Sequence, residues 1–348
     1  MKDELHIGVF GLGMGANVLA LNTEPAQGLR VTSICALEEA KLRDYQQRFG
    51  VQKTTTQYSQ MLEDPDIDIV AVYTPDALHA EHCVAALNAG KHVVCTKPMA
   101  TSNEGAQAIV DAVRRTRRKL MVAQTARFIP QFRDVKALLE AMHMGLPLAC
   151  RGQYIHDLSP YLKLTPWRLS MPQDFMYGGG LHPIDLLRWW AGDVEEVHAY
   201  AHRGGREPAY PIQDNFVLNL KFVSGCIGTV SIFCGVVRPP VPNIVMDMFC
   251  ERGSITASYA EGESGVLRSV SLALPDLPVQ EISYGPETGV TYKHGDSEMR
   301  IFRAFAACIN ADTEPDPDAL EGARGVAVGD AAWESIRTGK PVRVKKDF

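Results

Sequence analysis

Between the N-terminus and residue 125, short apolar runs alternate with helix-like stretches, and this alternation constrains the fold more than any other feature. "HIGVF", "LRVTSICA", "IDIVAVYTP", "KHVVCTKP" and "KLMVAQ" read as strands. A glycine-rich turn opening a helix follows the first. "LEEAKLRDYQQRFG" reads as a helix closed by Gly50. "DALHAEHCVAALNAG" reads as another, with Asp76 as N-cap and Gly90 at its C-terminus. "SNEGAQAIVDAVRRT" is a further helix. Short apolar strands separated by capped helices imply right-handed βαβ crossovers and a doubly wound parallel sheet.

From about residue 147 the pattern changes. "LACRGQYI", "VEEVHAYA", "NFVLNLKFV", "CIGTVSIFCGV", "NIVMDMFC", "SITASYA" and "VLRSVSLAL" are strand-like. Ser224-Gly225 and Glu251-Arg252-Gly253 read as hairpin turns. Phe216, Leu218, Leu220 and Phe222 alternate with Val217, Asn219 and Lys221, which gives a sheet with one apolar face. Helices are expected at about 130–142, 183–191, 297–310 and 320–338, and a surface connection at 310–320. The second half is therefore α+β with a large, mainly antiparallel open sheet. The chain's 348 residues suit two domains, expected at 1–125 (dinucleotide-binding) and 126–348 (substrate-binding and oligomerisation).

Net charge is −6, and the densest basic run, Arg114 to Lys119, ends a helix, where the dipole favours cations. No basic domain points to nucleic acid. No 18-residue apolar window suggests a membrane span, and the first residues lack the apolar core of a signal peptide. The eight cysteines lie mostly in apolar runs without CxxC spacing, so buried free thiols in a reducing cytoplasm are expected, and no metal.

Gly11-Leu12-Gly13-Met14-Gly15-Ala16 follows the first strand and fits G-x-G-x-x-A. Gly11 permits the tight turn, Gly13 lets a pyrophosphate approach the backbone, and Ala16 allows close helix–strand packing. The helix N-terminus supplies N–H groups to phosphates. An acid usually ends the second strand of an NAD site, but Ala36 stands there, followed by Leu37, Glu38 and Glu39. Glu38 is the candidate for the ribose diol. The alternative is NADP, with Lys41 or Arg43 at a 2′-phosphate. The reading is NAD(H).

The glycine turn, "YTPDALHAEHCVAALNAGKHVVCTKPMA", "GGGLHPIDLLRWWAGD" and "AAWESIRTGKPVRV" resemble the Gfo/Idh/MocA oxidoreductases over nearly the whole chain. That resemblance implies a Rossmann domain, and an α/β domain whose open sheet face mediates homo-oligomerisation. It implies hydride transfer between a nicotinamide cofactor and a secondary hydroxyl or ketone of a sugar, glycoside or polyol. A 3-position of a pyranose is the favoured target. Two alternatives share the fold: an NAD-assisted glycosidase with transient oxidation and elimination, and a non-catalytic nucleotide-sensing regulator.

Matching the family's Glu-Lys-Pro motif puts Lys97 in the catalytic position, with Thr96 replacing the glutamate. Lys97 is expected to hydrogen-bond the substrate oxygen. The family's Asp-x-x-x-His motif gives His182 as general base, but Gly178 stands where the aspartate would be. His182 precedes Pro183 near a helix start, where the dipole disfavours imidazolium. Asp185 lies three residues on, a neighbour if both are helical. Tyr177, His156, Asp157 and Asp174 are further polar candidates. Glycines 178–180 would let backbone approach substrate or nicotinamide. The resemblance also places Thr74, Pro75, His79, Thr96, Trp167 and Arg168 near the cofactor, with Gly15 in the glycine turn. His82 is expected to be exposed, and Trp189-Trp190 to pack domains together.

Overall fold

A computed structural model describes residues 4–23, 28–165, 167–260, 267–284 and 296–348. The first part of the chain runs β1 (Leu5–Phe10), a 3₁₀ segment (Met14–Asn22), β2 (Leu29–Cys35), α1 (Glu39–Phe49), β3 (Lys53–Thr55) and α2 (Tyr58–Glu63). It continues with β4 (Ile69–Val72), α3 (His79–Asn88), β5 (His92–Thr96), α4 (Asn103–Thr116) and β6 (Leu120–Ala123). All six strands are parallel, in the order β3-β2-β1-β4-β5-β6. This is the dinucleotide-binding strand order, and its direction reverses between β1 and β4, where ligands bind in open sheets.

Every residue of β4 is buried, as are Val93, Val94 and Cys95 of β5. That is what a parallel sheet covered on both faces requires. Gly50 closes α1 in the left-handed region at φ 63°, and Ser102 caps α4 by accepting from the Gly105 amide. Three details differ from the sequence reading. The segment after the glycine turn is 3₁₀, not α. Asp76 opens a short 3₁₀ turn (Asp76–Leu78) instead of capping the helix, which starts at His79. The edge strand β3 and α2 went unread, because Lys53 and Thr54 are exposed and carry no apolar signal.

The rest of the chain contains α5 (Pro130–Ala141), β7 (Pro147–Ile155), α6 (Ser159–Leu164), α7 (Trp167–Ser170), α8 (Phe175–Gly178) and α9 (Leu181–Ala191). Then come β8 (Val194–His202), β9 (Asn215–Phe222), β10 (Ile227–Phe233), β11 (Ile244–Cys250), β12 (Gly253–Ala260), β13 (Leu267–Ala273) and β14 (Gln280–Ser283). Helices α10 (Asp296–Ala311) and α11 (Ala319–Thr338) and strand β15 (Val342–Arg343) end it. The nine-stranded sheet is ordered β14-β13-β12-β11-β7-β10-β9-β8-β15, antiparallel except where β7 meets β10. Both expected hairpins form, between β9 and β10 and between β11 and β12.

The chain divides into two compact units. The first holds the residues through Thr125, α10, the start of α11 to Val326, and Phe348. The second begins at Ala126 and includes the remainder of α11. Helix α10 buries Ile301, Phe302 and Phe305 and packs on the 3₁₀ segment, β2 and β6. Its stripe is visible in the sequence; what it covers is not. The 310–320 connection is fastened to the same unit. The Val122 amide donates to the Pro317 oxygen, and Lys119 pairs with Asp312 at 3.0 Å.

In the second unit Phe216, Leu218, Leu220 and Phe222 are buried, at about 1.5–3 kcal/mol each. That apolar row is covered within the chain; Trp333 of α11 meets Phe216 edge-on. The opposite face is open. All eight cysteines are free thiols. Among the described residues no helix is long and apolar enough to cross a membrane.

Candidate functional site

In the first unit the glycine turn leaves the carboxyl end of β1. Gly11 adopts φ +94°, and a Cβ there would strike the Tyr73 carbonyl. A Cβ at Gly15 would lie 2.9 Å from the Tyr73 Cβ and 3.1 Å from Val9. The close packing expected of Ala16 therefore falls on Gly15. Gly13 is different: nothing lies within 4 Å of its Cβ position. An open approach at the start of a helical segment, over backbone that no side chain shields, fits the pyrophosphate of a dinucleotide.

At the end of β2, the Ala36 amide donates to the Thr55 oxygen, and Leu37 is 90% exposed. Glu38 is exposed at the N-cap position of α1, without a side-chain capping bond. Of the two cations weighed for a 2′-phosphate, Arg43 pairs with Glu39 and Lys41 lies over the Tyr45 ring.

The exit of β4 and that of β5 are tied together. His79 is fully buried; its Nδ1 lies 2.6 Å from the Pro98 oxygen and its Nε2 2.7 Å from the Thr74 oxygen. Thr74, Pro75, His79 and the cis Lys97–Pro98 peptide thus form one bracket at the carboxyl edge of the sheet. Thr96 and Lys97 are half-buried there. His82, expected to be exposed, is half-buried instead. Its Nδ1 lies 2.9 Å from the Thr74 hydroxyl, and its ring meets Phe10 and Tyr58 edge-on. Burial, first of all, holds its imidazole below the ordinary histidine value.

In the second unit His182 is the second residue of α9, so the helix begins earlier than Pro183, and the residue stays within the first turn. Its ring lies 5.8 Å from that of Tyr154 at 30°, and Tyr154 in turn meets His156 edge-on. The three glycines that precede α9's first residues lie against protein. A Cβ at Gly179 would strike the Tyr154 ring, one at Gly180 the Ile232 side chain, and one at Gly178 the Gln173 carboxamide at 3.1 Å.

The other acidic candidates are occupied structurally. Asp185 does not partner His182. It accepts two bonds from Arg127, at 2.7 and 2.8 Å, with both residues buried. The buried Tyr177 donates its hydroxyl to Asp330. Asp174 caps α8 and accepts from Trp333 Nε1 at 2.7 Å. Asp157 accepts from the Ser159 amide and hydroxyl and from the Arg238 amide. Burial would raise its carboxyl, but those bonds, led by the Ser159 hydroxyl, hold it below the ordinary carboxylate value.

Trp167 is 41% exposed. The guanidinium of the buried Arg168 lies 4.1 Å from the Trp167 ring centroid and 4.5 Å from that of Tyr161, while its Nε donates to Gln173. Trp189 and Trp190 pack inside this unit, on Arg127 and Phe132.

Comparison with known proteins places this geometry. Residues 5–124 match the oxidoreductase family's NAD-binding Rossmann fold, and residues 136–344 match its C-terminal α/β domain. The chain belongs to the Gfo/Idh/MocA oxidoreductase family. It is 32% identical over 265 residues to a levoglucosan dehydrogenase of Pseudarthrobacter phenanthrenivorans, covering 66% of this chain and 67% of that one. It is 26% identical over 347 residues to a 1,5-anhydro-D-fructose reductase of Ensifer adhaerens, covering 97% and 98%. Among solved structures, levoglucosan dehydrogenase in complex with NADH superposes with a TM-score of 0.86 at 23% identity, covering 99% and 100%, a likeness of fold.

This Gfo/Idh/MocA chain is an NAD-binding oxidoreductase whose two departures, Thr96 and Gly178, now have surroundings. Gln173 fills the space above Gly178, and Thr96 ends β5 beside Ala123 of β6. Sequence reasoning missed Gln173, Tyr154 and Arg127. The only signal for Gln173 was the glycine it faces, and no local pattern links Arg127 to Asp185.

Proposed function

We propose that this protein is an NAD-dependent dehydrogenase acting on a secondary hydroxyl, or the corresponding ketone, of a sugar, anhydrosugar or polyol. The observation that carries this reading is the bracket at the carboxyl edge of β4 and β5. It fixes the Lys97–Pro98 peptide beside the switch point of a 3-2-1-4-5-6 sheet, and the glycine turn there is open over Gly13. The substrate class follows the named activities of the relatives, which act on levoglucosan and anhydrofructose.

Gly11, Gly13 and Gly15 hold the dinucleotide, with Glu38 at its ribose. When bound, the nicotinamide supplies the hydride chemistry. Lys97 donates a hydrogen bond to the substrate oxygen and stabilises negative charge as it develops. His182 accepts the hydroxyl proton; its place in the first turn of α9 favours the neutral imidazole that a base requires. Arg168, between two aromatic rings, is a fixed cation for cofactor phosphate.

We also infer that copies associate through the open sheet face. Register sets Tyr200, Ile227 and Phe249 on that side, and they are 63%, 62% and 44% exposed. Size-exclusion chromatography with light scattering reads this directly; a monomer at working concentration overturns it.

The function itself is tested by a near-ultraviolet absorbance screen with NAD and NADP against anhydrosugars, sugars, glycosides and inositols. Reduced cofactor should accumulate with at least one anhydrosugar or polyol. Aglycone release without reduced cofactor would instead make it a glycosidase. Cofactor binding without turnover on any member of the panel would make it a regulator.

A further inference from the structure

The surroundings of His79 pose a problem of donor accounting. The ring is wholly buried, and each nitrogen faces a main-chain carbonyl, Pro98 at 2.6 Å and Thr74 at 2.7 Å. A carbonyl oxygen only accepts, so each contact needs an N–H on the ring. Neutral imidazole has one N–H and one lone pair. In either tautomer, a lone pair would point at a carbonyl lone pair at that distance. Only the doubly protonated ring satisfies both contacts, and lengths this short are those of charge-assisted bonds.

The two acceptors are not equivalent parts of the fold. Thr74 belongs to the exit of β4, and Pro98 follows Lys97 at the exit of β5. Burying a charge is costly unless dipoles compensate it, and here two carbonyl oxygens converge on it. The ionisable groups on the elements around it are Asp76 in the preceding turn, Glu81, His82 and Cys83 on α3, Tyr73 at the exit of β4, and His92, Cys95 and Lys97 on β5 and its exit; α4, which packs on α3, adds Glu104, Asp111, Arg114 and Arg115.

We propose that His79 is a standing imidazolium whose two N–H groups clamp the Thr74 turn to the Lys97–Pro98 peptide, making it the positioning residue for Lys97. The positioning half rests on the dehydrogenase reading, because it needs Lys97 at the reacting oxygen. The protonation half does not.

The test has two arms, both on the full chain with NAD bound. In ¹⁵N-histidine NMR, the His79 signals, assigned by their loss in His79→Gln, should show both ring nitrogens protonated across the neutral range. One unprotonated nitrogen overturns the clamp, and this measurement needs no variant to be active. In steady-state kinetics, His79→Gln should lower kcat about 100-fold, the scale of a misplaced catalytic group, with NAD affinity retained. Unchanged kcat overturns the positioning role. Loss of NAD affinity in step with kcat overturns it too, because it would mark a general collapse of the site. A wild-type protein that turns over no substrate, with both nitrogens protonated, would fail the dehydrogenase reading and leave the imidazolium standing.

Discussion

Gly178 and Gln173 share one volume: a Cβ added at Gly178 would sit 3.1 Å from the Gln173 carboxamide carbon. The family pattern puts an aspartate at that position. Restoring it by Gly178→Asp should overpack the site and cost about 1–3 kcal/mol of stability. Shortening the neighbour should recover it. Gln173→Ala combined with Gly178→Asp should be more stable than Gly178→Asp alone, a coupling that a double-mutant cycle of thermal melts measures. Additive effects would mean that the two side chains do not compete.

Arg127 and Asp185 form a buried bidentate pair, so Asp185 is expected to matter for folding and not for proton transfer. Asp185→Asn removes the carboxylate charge that faces the buried Arg127 guanidinium and should cost about 3–5 kcal/mol. Replacing both partners with apolar residues of similar volume should cost much less. Urea unfolding of the wild type and the two variants checks the order. A stable Asp185→Asn protein with abolished turnover would return Asp185 to the catalytic group.

These two relationships mark where the sequence stops being legible. The strands β1, β2, β4, β5 and β6 could be read because each is a short, mostly apolar run bounded by turn or helix signals. The glycine turn was legible because local backbone demands fix local residue types, whereas Lys97 was picked out by its match to the family's motif. Gly178 could be read as a departure, but nothing nearby named Gln173 as the group occupying its space. Asp185 looked like a partner of His182, because helical spacing records which residues share a face and not what lies opposite. Arg127 is 58 positions away. The short helices α7 and α8 span four residues each, too few to establish a period.

His92 makes folding sensitive to acid. Its Nδ1 accepts from the Lys119 amide at 3.1 Å, and burial, with Arg118 and Lys119 nearby, lowers its imidazole from 6.5 to about 4. Because the folded value lies below the unfolded one, the unfolded chain takes up a proton first as pH falls. The stabilisation is complete above about 6.5 and is lost down to about 4. His92→Gln keeps an acceptor and binds no proton, so its melting temperature should decline less across that window. Parallel decline in both proteins would assign the acid sensitivity to other groups.

Lys97→Ala should lower kcat by about 10²–10³-fold, the value of one donor to a developing oxyanion. His182→Ala should lower it by about 10²–10⁴-fold, as for loss of a general base. Both should bind NAD, because neither side chain forms the glycine turn. Near-native turnover in either variant would remove that residue from the mechanism.

The two glycines of the turn should fail in opposite ways. Gly11 is held at φ +94° against the Tyr73 carbonyl, so Gly11→Ala imposes both backbone strain and a collision, and should melt at a lower temperature. Gly13 has φ −74° and no neighbour within 4 Å of its Cβ position. Gly13→Val should therefore fold with nearly wild-type stability and lose NAD affinity, because its new side chain stands where the pyrophosphate approaches. Calorimetric melting and fluorescence titration with NADH separate the two. If Gly13→Val bound NADH as the wild type does, the open space over Gly13 would not be the pyrophosphate site, and the placement of the cofactor at the β1–β4 switch point would have to be abandoned.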